Sequence, residues 1–170
     1  MTKQQSELGL MQDAIRKLQS QNEIADQIHR YCFFFDSSDL QGLKGLFTID
    51  AIVDYGPEMG PISGIENIMN SISGGLRNTF AATSHHISNI IIEFIGAEEA
   101  HASSYVYAWH KYLKKPEIGY LWGQYSHVFR YEAGTWKISH LKLNAVAIQD
   151  FHRSNMHPVN RLTLEQSTNV

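Results

Sequence analysis

The sequence predicts an α+β domain, with helices in the first half of the chain and long antiparallel strands in the second. From Leu8 to Phe35, apolar residues recur mostly at three- and four-residue steps, the spacing of one helical face. After Thr83 the chain changes to long runs rich in β-branched and aromatic residues, with short turn sequences between them. Because short turns join antiparallel neighbours, we expect a meander sheet that helices cover on one face and that curls around a pocket.

The first half of the chain contains signals for three helices and one short strand. The first helix, continuous or broken once, is expected to end at Asp36, and Asp39 is a suitable N-cap for the short helix LQGLKGLF. The strand AIVDY follows. A third, amphipathic helix begins after Ser63, and we expect the pair Gly74-Gly75 to end it, because glycine is favoured at helix C-termini.

Four long strands are expected in the second half of the chain. Their sequences are HHISNIIIEFI, AHASSYVYAWHKYL, GYLWGQYSHVFRYE and TWKISHLKLNAVAIQDF. We therefore assign residues 1–150 to a single domain. Residues 151–170 are polar and aperiodic, and they are predicted to form a lid, a subunit-exchange arm or a disordered tail.

Composition narrows the classes of function. A chain of 170 residues with 43% hydrophobic and 18% charged residues fits one globular domain. A net charge of −3 with scattered Lys and Arg argues against nucleic acid as a partner. No apolar run approaches the length of a membrane span and no secretory signal begins the sequence, so we expect a cytoplasmic protein without a membrane partner. Cys32, the single cysteine, excludes an internal disulfide framework.

Asp36 is the first candidate for chemistry, because it follows three phenylalanines at the end of a helix. A carboxylate enclosed there needs a partner that offsets its charge, or its pKa must rise. From spacing alone, an N-capping role in a solvated turn is equally acceptable. His85 and His86 begin the first long strand, where successive side chains point to opposite faces, so one of the two faces the pocket. The pattern of apolar residues does not decide which.

His110, at the end of the run YVYAWH, is a third candidate, and its alternative is an ordinary histidine at a strand end. Tyrosines and tryptophans are numerous enough to line an apolar pocket with hydroxyl donors, and we expect Trp122 and Tyr125 among those that contact a ligand. The HExxH spacing and cysteine clusters are absent from the sequence, so we expect no metal site and no cofactor. No Gly-rich phosphate loop or G-x-S-x-G elbow is present either.

Four segments together resemble the SnoaL-like domains of the nuclear-transport-factor-2-like superfamily. They are RYCFFFDSSDLQGLKGLFTIDAIVDYG, ISGIENIM, TSHHISN and GTWKISHLKL, and the likeness covers about residues 8–150. The resemblance implies a cone of helices over a strongly curved, mainly antiparallel sheet that encloses a pocket. It also implies a homodimer or homotrimer. The superfamily is functionally mixed, so the fold alone predicts little chemistry.

Within this superfamily the sequence resembles the scytalone dehydratases and bile acid dehydratases, which pair an aspartate after the first helix with a histidine on the first long strand. Asp36 and His85 fall on those two positions. Tyr55 and His110 match a tyrosine and a second histidine of scytalone dehydratases, and Tyr31 matches a functional tyrosine of bile acid dehydratases. The resemblance therefore implies a catalytic set of Asp36, His85, His110 and Tyr55.

The sequence also departs from the scytalone dehydratase pattern. Phe35 stands where those enzymes have a tyrosine, and their late Ser/Asn pair falls near Gly123 and Tyr125. The residues expected to bind substrate are Tyr31, Phe35, Trp122 and Tyr125. The departures leave the identity of the substrate open.

Three functions remain open from the sequence. The first is a cofactor-independent lyase or isomerase for a small cyclic or polycyclic ketone, in which Asp36 orients His85 and His85 takes a proton. The second is a non-catalytic module that binds a small molecule or supports oligomerisation, which predicts a pocket filled by side chains. The third is an isomerase in which Asp36 itself carries the proton.

Overall fold

A computed structural model describes residues 3–160 of the chain, with side chains from residue 7 onward. The elements in chain order are α1 (Lys3–Asp36), α2 (Leu40–Leu46), β1 (Phe47–Asp54), β2 (Ile62–Ser63), α3 (Ile65–Asn78), β3 (Phe80–Phe94), β4 (Glu99–Tyr112), β5 (Ile118–Glu132), β6 (Thr135–Gln149) and β7 (His157–Pro158). Among the described residues, the helices pack on one curved, mostly antiparallel sheet, which confirms the predicted α+β fold.

The sheet has the strand order β2-β1-β6-β5-β4-β3. The long strands β3 to β6 pair antiparallel with their chain neighbours, as the meander predicts. Parallel pairing of β1 with β6 makes the sheet mixed. Alternating burial along β4 and β5 gives the sheet one face toward the helices and one exposed face. The core lies between the helices and the first of these faces.

Helix α1 is continuous, and it changes character along its length. Leu8, Met11 and Ile15 are exposed in the first half, whereas Ile24 and Ile28 in the second half are fully buried. The buried half lies against the sheet, and it ends at Asp36 beside the start of β3. The apolar sequence at the end of α1 therefore directs Asp36 toward the interior side of the domain.

Helix α3 continues beyond the glycine pair that was expected to end it. It ends at Asn78, so the predicted end at Gly74-Gly75 is wrong. A Cβ atom at Gly75 would lie 3.3 Å from the ring of Phe80, tighter than ordinary contact. The glycine therefore permits close packing of β3 against the helix rather than a change of backbone direction.

The chain after β6 packs back onto the domain. His157 Nε2 lies within hydrogen-bond distance of Asp54 Oδ2, at 2.8 Å, and β7 pairs with β6. The Tyr112 hydroxyl donates to the carbonyl oxygen of Asp150 at 3.1 Å. We call residues 150–158 the C-terminal strap, and residues 161–170 of the predicted tail lie outside the described residues. Within the described residues, no helix combines the length and apolar character needed to cross a membrane.

Candidate active site

Asp36 and His85 form a hydrogen-bonded pair where the end of α1 meets β3. His85 Nδ1 lies 2.6 Å from Asp36 Oδ1. The His85 backbone N–H donates to Asp36 Oδ2 at 2.8 Å, and the Thr83 hydroxyl donates to Oδ1 at 2.7 Å. The His85 side chain is only 7% exposed. Both carboxylate oxygens of Asp36 are therefore used to hold one residue in place.

These contacts determine the charge of Asp36. Burial by itself raises the pKa of this carboxyl, but the hydrogen bonds and charge interaction with His85 and the hydrogen bond from Thr83 outweigh it. The net pKa lies below its ordinary value, so Asp36 is an anion near neutral pH. Of the two outcomes expected for an enclosed Asp36, the structure shows a partner that offsets the charge. It does not show an N-capping role, because Asp39 accepts from the Gly42 N–H at 2.8 Å and caps α2.

The strand pairing places the two adjacent histidines on opposite faces of β3. His85 points toward Asp36 and the ring of Phe35, at 5.1 Å between ring centroids. His86 points to the outer face, where its ring lies 6.0 Å from that of Tyr107. The resemblance therefore selected the histidine that reaches the aspartate, a choice that the apolar pattern left open.

His110 on β4 lies beside His85. The two Nε2 atoms are 3.4 Å apart. If His85 donates its Nδ1–H to Asp36, its Nε2 is an acceptor, and His110 must donate its own Nε2–H. His110 Nδ1 is then an acceptor, and it is buried without a hydrogen-bond partner among the described residues. Burial, and then the nearby rings of His85 and His152, lower the pKa of His110 to about 3, so the ring is neutral at pH 7.

A cavity of about 390 Å³ lies beside this histidine pair. Five of the eight predicted site residues line it, namely Tyr31, Phe35, Tyr55, His110 and Tyr125. Such a volume falls within the usual range of small-molecule sites, about 300–1,000 Å³. Asp36 and His85 do not line this cavity themselves, because His110 stands between them and it.

The tyrosines form the polar part of the cavity wall. The hydroxyls of Tyr31 and Tyr55 are 2.8 Å apart, and the ring of Tyr125 lies 5.8 Å from that of Tyr31 in an edge-on arrangement. Burial raises the pKa of Tyr55 to about 12, and it raises the pKa of Tyr31 and Tyr125 well above the ordinary value. All three hydroxyls are therefore protonated at neutral pH, which keeps them available as hydrogen-bond donors.

The structure contradicts the expected position of Trp122. Its side chain is 41% exposed on the outer face of β5, where it packs against Tyr107 and Tyr120. Leu121 and Gly123, its neighbours on the strand, are buried on the opposite face. Counting aromatic residues could not reveal this, because the direction of a strand side chain depends on its parity with known core positions.

The residues of the cavity wall that the sequence analysis missed include two titratable side chains of the C-terminal strap. His152 and Arg153 in the C-terminal strap line the cavity. Arg153 donates from Nη1 to the Tyr55 carbonyl oxygen at 2.6 Å, and the His152 ring packs on that of His110 at 5.4 Å. Burial lowers the pKa of His152 to about 3. The strap sequence is aperiodic, so no hydrophobic pattern could predict that these two side chains line the cavity. The available signal in the sequence was the adjacent pair of a histidine and an arginine.

A second cavity, also about 390 Å³, meets the pair directly. It is lined by Asp36, His85 and the α1 residues His29, Cys32 and Phe33, and Phe33 is 70% exposed. The His85–Asp36 pair thus lies between a ligand-sized interior cavity and a surface cavity. No cluster of three metal-ligating side chains occurs among residues 7–160.

Comparisons with known proteins agree with this architecture. A family model described as a SnoaL-like domain matches residues 16–142. A scytalone dehydratase-like protein of Novosphingobium aromaticivorans is 31% identical, with a TM-score of 0.80 over 86% of this chain and 97% of that chain. No curated protein matches the sequence.

Two further solved structures share the fold at lower identity. The hexachlorocyclohexane dehydrochlorinase LinA-type3 of Novosphingobium barchaimii is 17% identical, with a TM-score of 0.75 over 87% of this chain and 99% of that chain. A nuclear transport factor 2-like superfamily protein of Salmonella enterica is 19% identical, with a TM-score of 0.70 over 82% and 99%. The family model spans most of the chain, and the chain therefore belongs to the SnoaL-like domain family of the nuclear-transport-factor-2-like fold.

Proposed function

We propose that this protein is a cofactor-independent lyase that removes water from a small cyclic or polycyclic hydroxyketone, with His85 as general base. The observation that supports this most strongly is the 2.6 Å contact between His85 Nδ1 and Asp36 Oδ1 beside a ligand-sized cavity. The similarity to a scytalone dehydratase-like protein at 31% identity supports the same reaction type.

Asp36 gives His85 the properties of a base. The carboxylate accepts the Nδ1–H, which fixes the tautomer and leaves the Nε2 lone pair free to take a proton. The negative charge also stabilises the imidazolium that forms. His110 is neutral and its Nδ1 has no partner among the described residues, so its ring can turn without losing a hydrogen bond at that atom. In our proposal this turn exposes His85 Nε2 to the substrate.

The reaction breaks one C–H and one C–O bond. His85 Nε2 takes the proton from the carbon next to the carbonyl, and the electron pair moves onto the carbonyl oxygen as an enolate. The hydroxyl group on the neighbouring carbon then leaves, taking a proton from the imidazolium, so water and a conjugated enone are the products. Tyr31 and Tyr55 supply protonated hydroxyls that would hydrogen-bond the oxygen on which charge develops.

Two alternatives receive less support. A non-catalytic module predicts a cavity filled by side chains, whereas this cavity has about 390 Å³ of free volume. A mechanism in which Asp36 carries the proton requires a raised pKa, whereas three hydrogen bonds to its carboxylate favour the ionised form.

The expected assembly is a homodimer or homotrimer. On the exposed face of the sheet, Tyr105 is 48% exposed and Val146 is 65% exposed, and such apolar surfaces are typical of interfaces. Light scattering during gel filtration gives the mass directly, and a monomer at micromolar concentration would contradict this expectation.

The lyase function is tested by turnover of bicyclic β-hydroxyketones, followed by the absorbance of the conjugated enone. We expect wild-type turnover, and we expect His85→Ala to reduce kcat by about 10²- to 10⁴-fold because it removes the base. His86→Ala is the matched control, since His86 is the next residue on the strand but faces outward.

Circular dichroism and thermal melting of both variants establish that they fold. Equal turnover by wild type and His85→Ala, or no turnover of any substrate in the panel, would count against the proposal. A loss of activity in His86→Ala as large as that in His85→Ala would show that the effect is structural rather than chemical.

A further inference from the structure

Arg153 is a cation at the wall of a mostly apolar cavity. It lies in the C-terminal strap, is partly buried, and lines the same cavity as His110 and the tyrosines. Its guanidinium carbon lies 5.5 Å from the centroid of the Tyr55 ring. Nη1 donates to the Tyr55 carbonyl oxygen, and Nη2 lies 3.2 Å from Met59 Sδ. The backbone and ring of Tyr55 therefore hold the guanidinium in one orientation.

The guanidinium of Arg153 has more N–H donors than these contacts use. A guanidinium carries five N–H groups, and the contacts above use two of them. Among the described residues, every ion pair of an arginine with a carboxylate involves Arg16, Arg30 or Arg130, and none involves Arg153. Burial lowers the pKa of Arg153 from its ordinary value, as expected for a cation that gives up water without a paired anion.

Glu58 is the acidic residue of the same cavity wall, but its carboxylate hydrogen-bonds the strap and not the Arg153 guanidinium. Its Oε1 accepts from the Ser154 N–H, the Ser154 hydroxyl and the Asn155 N–H, at 2.7–2.8 Å. Glu58 thus fixes the strap rather than pairing with the guanidinium. Its charge still acts on Arg153 through space, so the arginine end of the cavity is not a strongly positive site in general. Recognition there depends on a ligand group that reaches the free N–H donors.

The other polar groups of the wall are neutral near pH 7. His110 and His152 have pKa values lowered to about 3, and the pKa of Tyr55 is raised to about 12. They can orient a carbonyl or hydroxyl, but they cannot balance a charge. A ligand that is neutral throughout would leave the Arg153 donors without a partner in a cavity from which it has displaced water, which is costly for a charged group.

We propose that Arg153 binds a carboxylate of the ligand, so that the substrate class is an aromatic or polycyclic ketone that also carries a carboxylic acid. A guanidinium and a carboxylate match in a two-point arrangement, with parallel N–H···O hydrogen bonds. As a specification of the substrate, this inference rests on the proposed lyase function. The carboxylate would lie at the strap, and the reacting carbon would lie toward His110.

Isothermal titration with two matched probes tests the inference without turnover. The probes are 2-naphthoate and 2-naphthamide, which have the same size but differ in charge. We expect wild-type protein to bind the carboxylate about 10- to 100-fold more tightly, the range of a hydrogen-bonded charge pair. Arg153→Gln should remove this preference by weakening naphthoate binding while naphthamide binding stays within about twofold.

Lys115→Gln is the matched control for charge. Lys115 lies near the same end of the molecule, 5.9 Å above the Tyr112 ring, but it does not line the cavity. The Lys115→Gln variant should retain the preference for naphthoate over naphthamide. If Arg153→Gln melts early, Arg153→Lys keeps the charge and should retain part of the preference. Equal binding of the two probes by wild type, or an equal loss in the Lys115 and Arg153 variants, would overturn the inference.

The two proposals fail separately. A strong preference for naphthoate in a protein that dehydrates no ketone would overturn the lyase function and leave the carboxylate site standing. Turnover of neutral hydroxyketones by a protein that binds the two probes equally would overturn the carboxylate site and support the lyase function.

Discussion

The two ends of the interior cavity are built from different kinds of sequence. At the histidine end, His110 lines the cavity and the Asp36–His85 pair lies behind it. These residues are held at the end of a long helix, on the edge strand β3 and on its neighbour β4. The arginine end consists of Tyr55 and Arg153, and it is held by the C-terminal strap. The first end rests on regular elements with many long-range contacts, whereas the second rests on a few side-chain hydrogen bonds.

This difference separates two tasks. A general base must be fixed in tautomer and position, and rigid elements with several hydrogen bonds to one carboxylate provide that. Recognition of a ligand substituent tolerates a more adaptable support, and such residues are commonly found on connecting segments. We therefore expect changes at the histidine end to affect kcat, and changes at the arginine end to affect ligand binding.

Asp36→Asn should give the largest effect. The amide cannot stabilise an imidazolium, and it can hold His85 in the wrong tautomer, so kcat should fall by about 10²- to 10⁴-fold. KM should change little, because Asp36 does not line the interior cavity. Steady-state kinetics on the dehydration reaction gives both values. A change confined to KM would contradict the assignment of this end to chemistry.

Glu58→Ala should give an intermediate effect on the kinetic constants, and it acts at the arginine end of the cavity. It removes the acceptor of three hydrogen bonds from Ser154 and Asn155, so the strap should loosen. We expect KM to rise by about tenfold, with a much smaller change in kcat. Hydrogen exchange at the Ser154 and Asn155 amides should become faster.

The exposed Glu117 provides the control for this change. Glu117→Ala removes a carboxylate from the turn between β4 and β5, away from the cavity lining, and should leave both KM and amide exchange in the strap unaltered. Unchanged exchange at Ser154 in the Glu58 variant would show that Glu58 does not fix the strap.

The pH dependence of the free energy of unfolding should reflect buried histidines at both ends of the cavity. His110 and His152, together with the core residue His127, have pKa values lowered to about 3 by burial, against about 6.5 in an unfolded chain. The unfolded state therefore binds more protons between these values, so the free energy of unfolding should fall as pH decreases below about 6.5. Asp36 acts in the same direction at lower pH, because its folded pKa is below the ordinary value.

Urea denaturation at pH 7.5, 6 and 5 measures this dependence. The slope should approach an uptake of about three protons on unfolding, one from each histidine. His152→Gln should lower the slope by about one proton, and His110→Gln should do the same. A free energy of unfolding that stays constant from pH 7.5 to 5 would contradict the buried, neutral state of these rings.

Trp122→Ala should give the smallest effect on catalysis. Trp122 lies on the outer face of the sheet and does not line the cavity. We expect kcat and KM within about twofold of wild type, as for an exposed residue away from the site. A tenfold change in either constant would place Trp122 back in the site that the sequence analysis assigned to it.

The fold and the histidine end were largely predictable from sequence. The periodicity of α1 and the lengths of β3 to β6 reflect burial that repeats regularly along the chain, which a pattern can detect. The position of Asp36 at an apolar helix end was visible for the same reason. The choice of His85 over His86 came from the family resemblance and not from the apolar pattern, because Ile90 and Ile92 on one face and Ile91 on the other gave β3 no clear parity.

The arginine end was not predictable. Arg153 and His152 reach the cavity because Glu58 and Asp54 hold the strap through long-range hydrogen bonds, and these depend on the three-dimensional path of the chain. The extension of α3 past Gly75 has a similar origin, since contact with Phe80 outweighs the local preference of glycine for a helix end. Tertiary contacts of this kind leave no periodic signal.

A double-mutant cycle on kcat for Asp36 and His85 tests most directly whether the aspartate acts through the histidine. The His85→Ala variant has already lost the base, so adding Asp36→Asn should cause little further loss, and the double variant should match His85→Ala within about twofold. If instead the losses of the two single variants multiply in the double variant, Asp36 has a role independent of His85, and the proposed pair is not the catalytic unit.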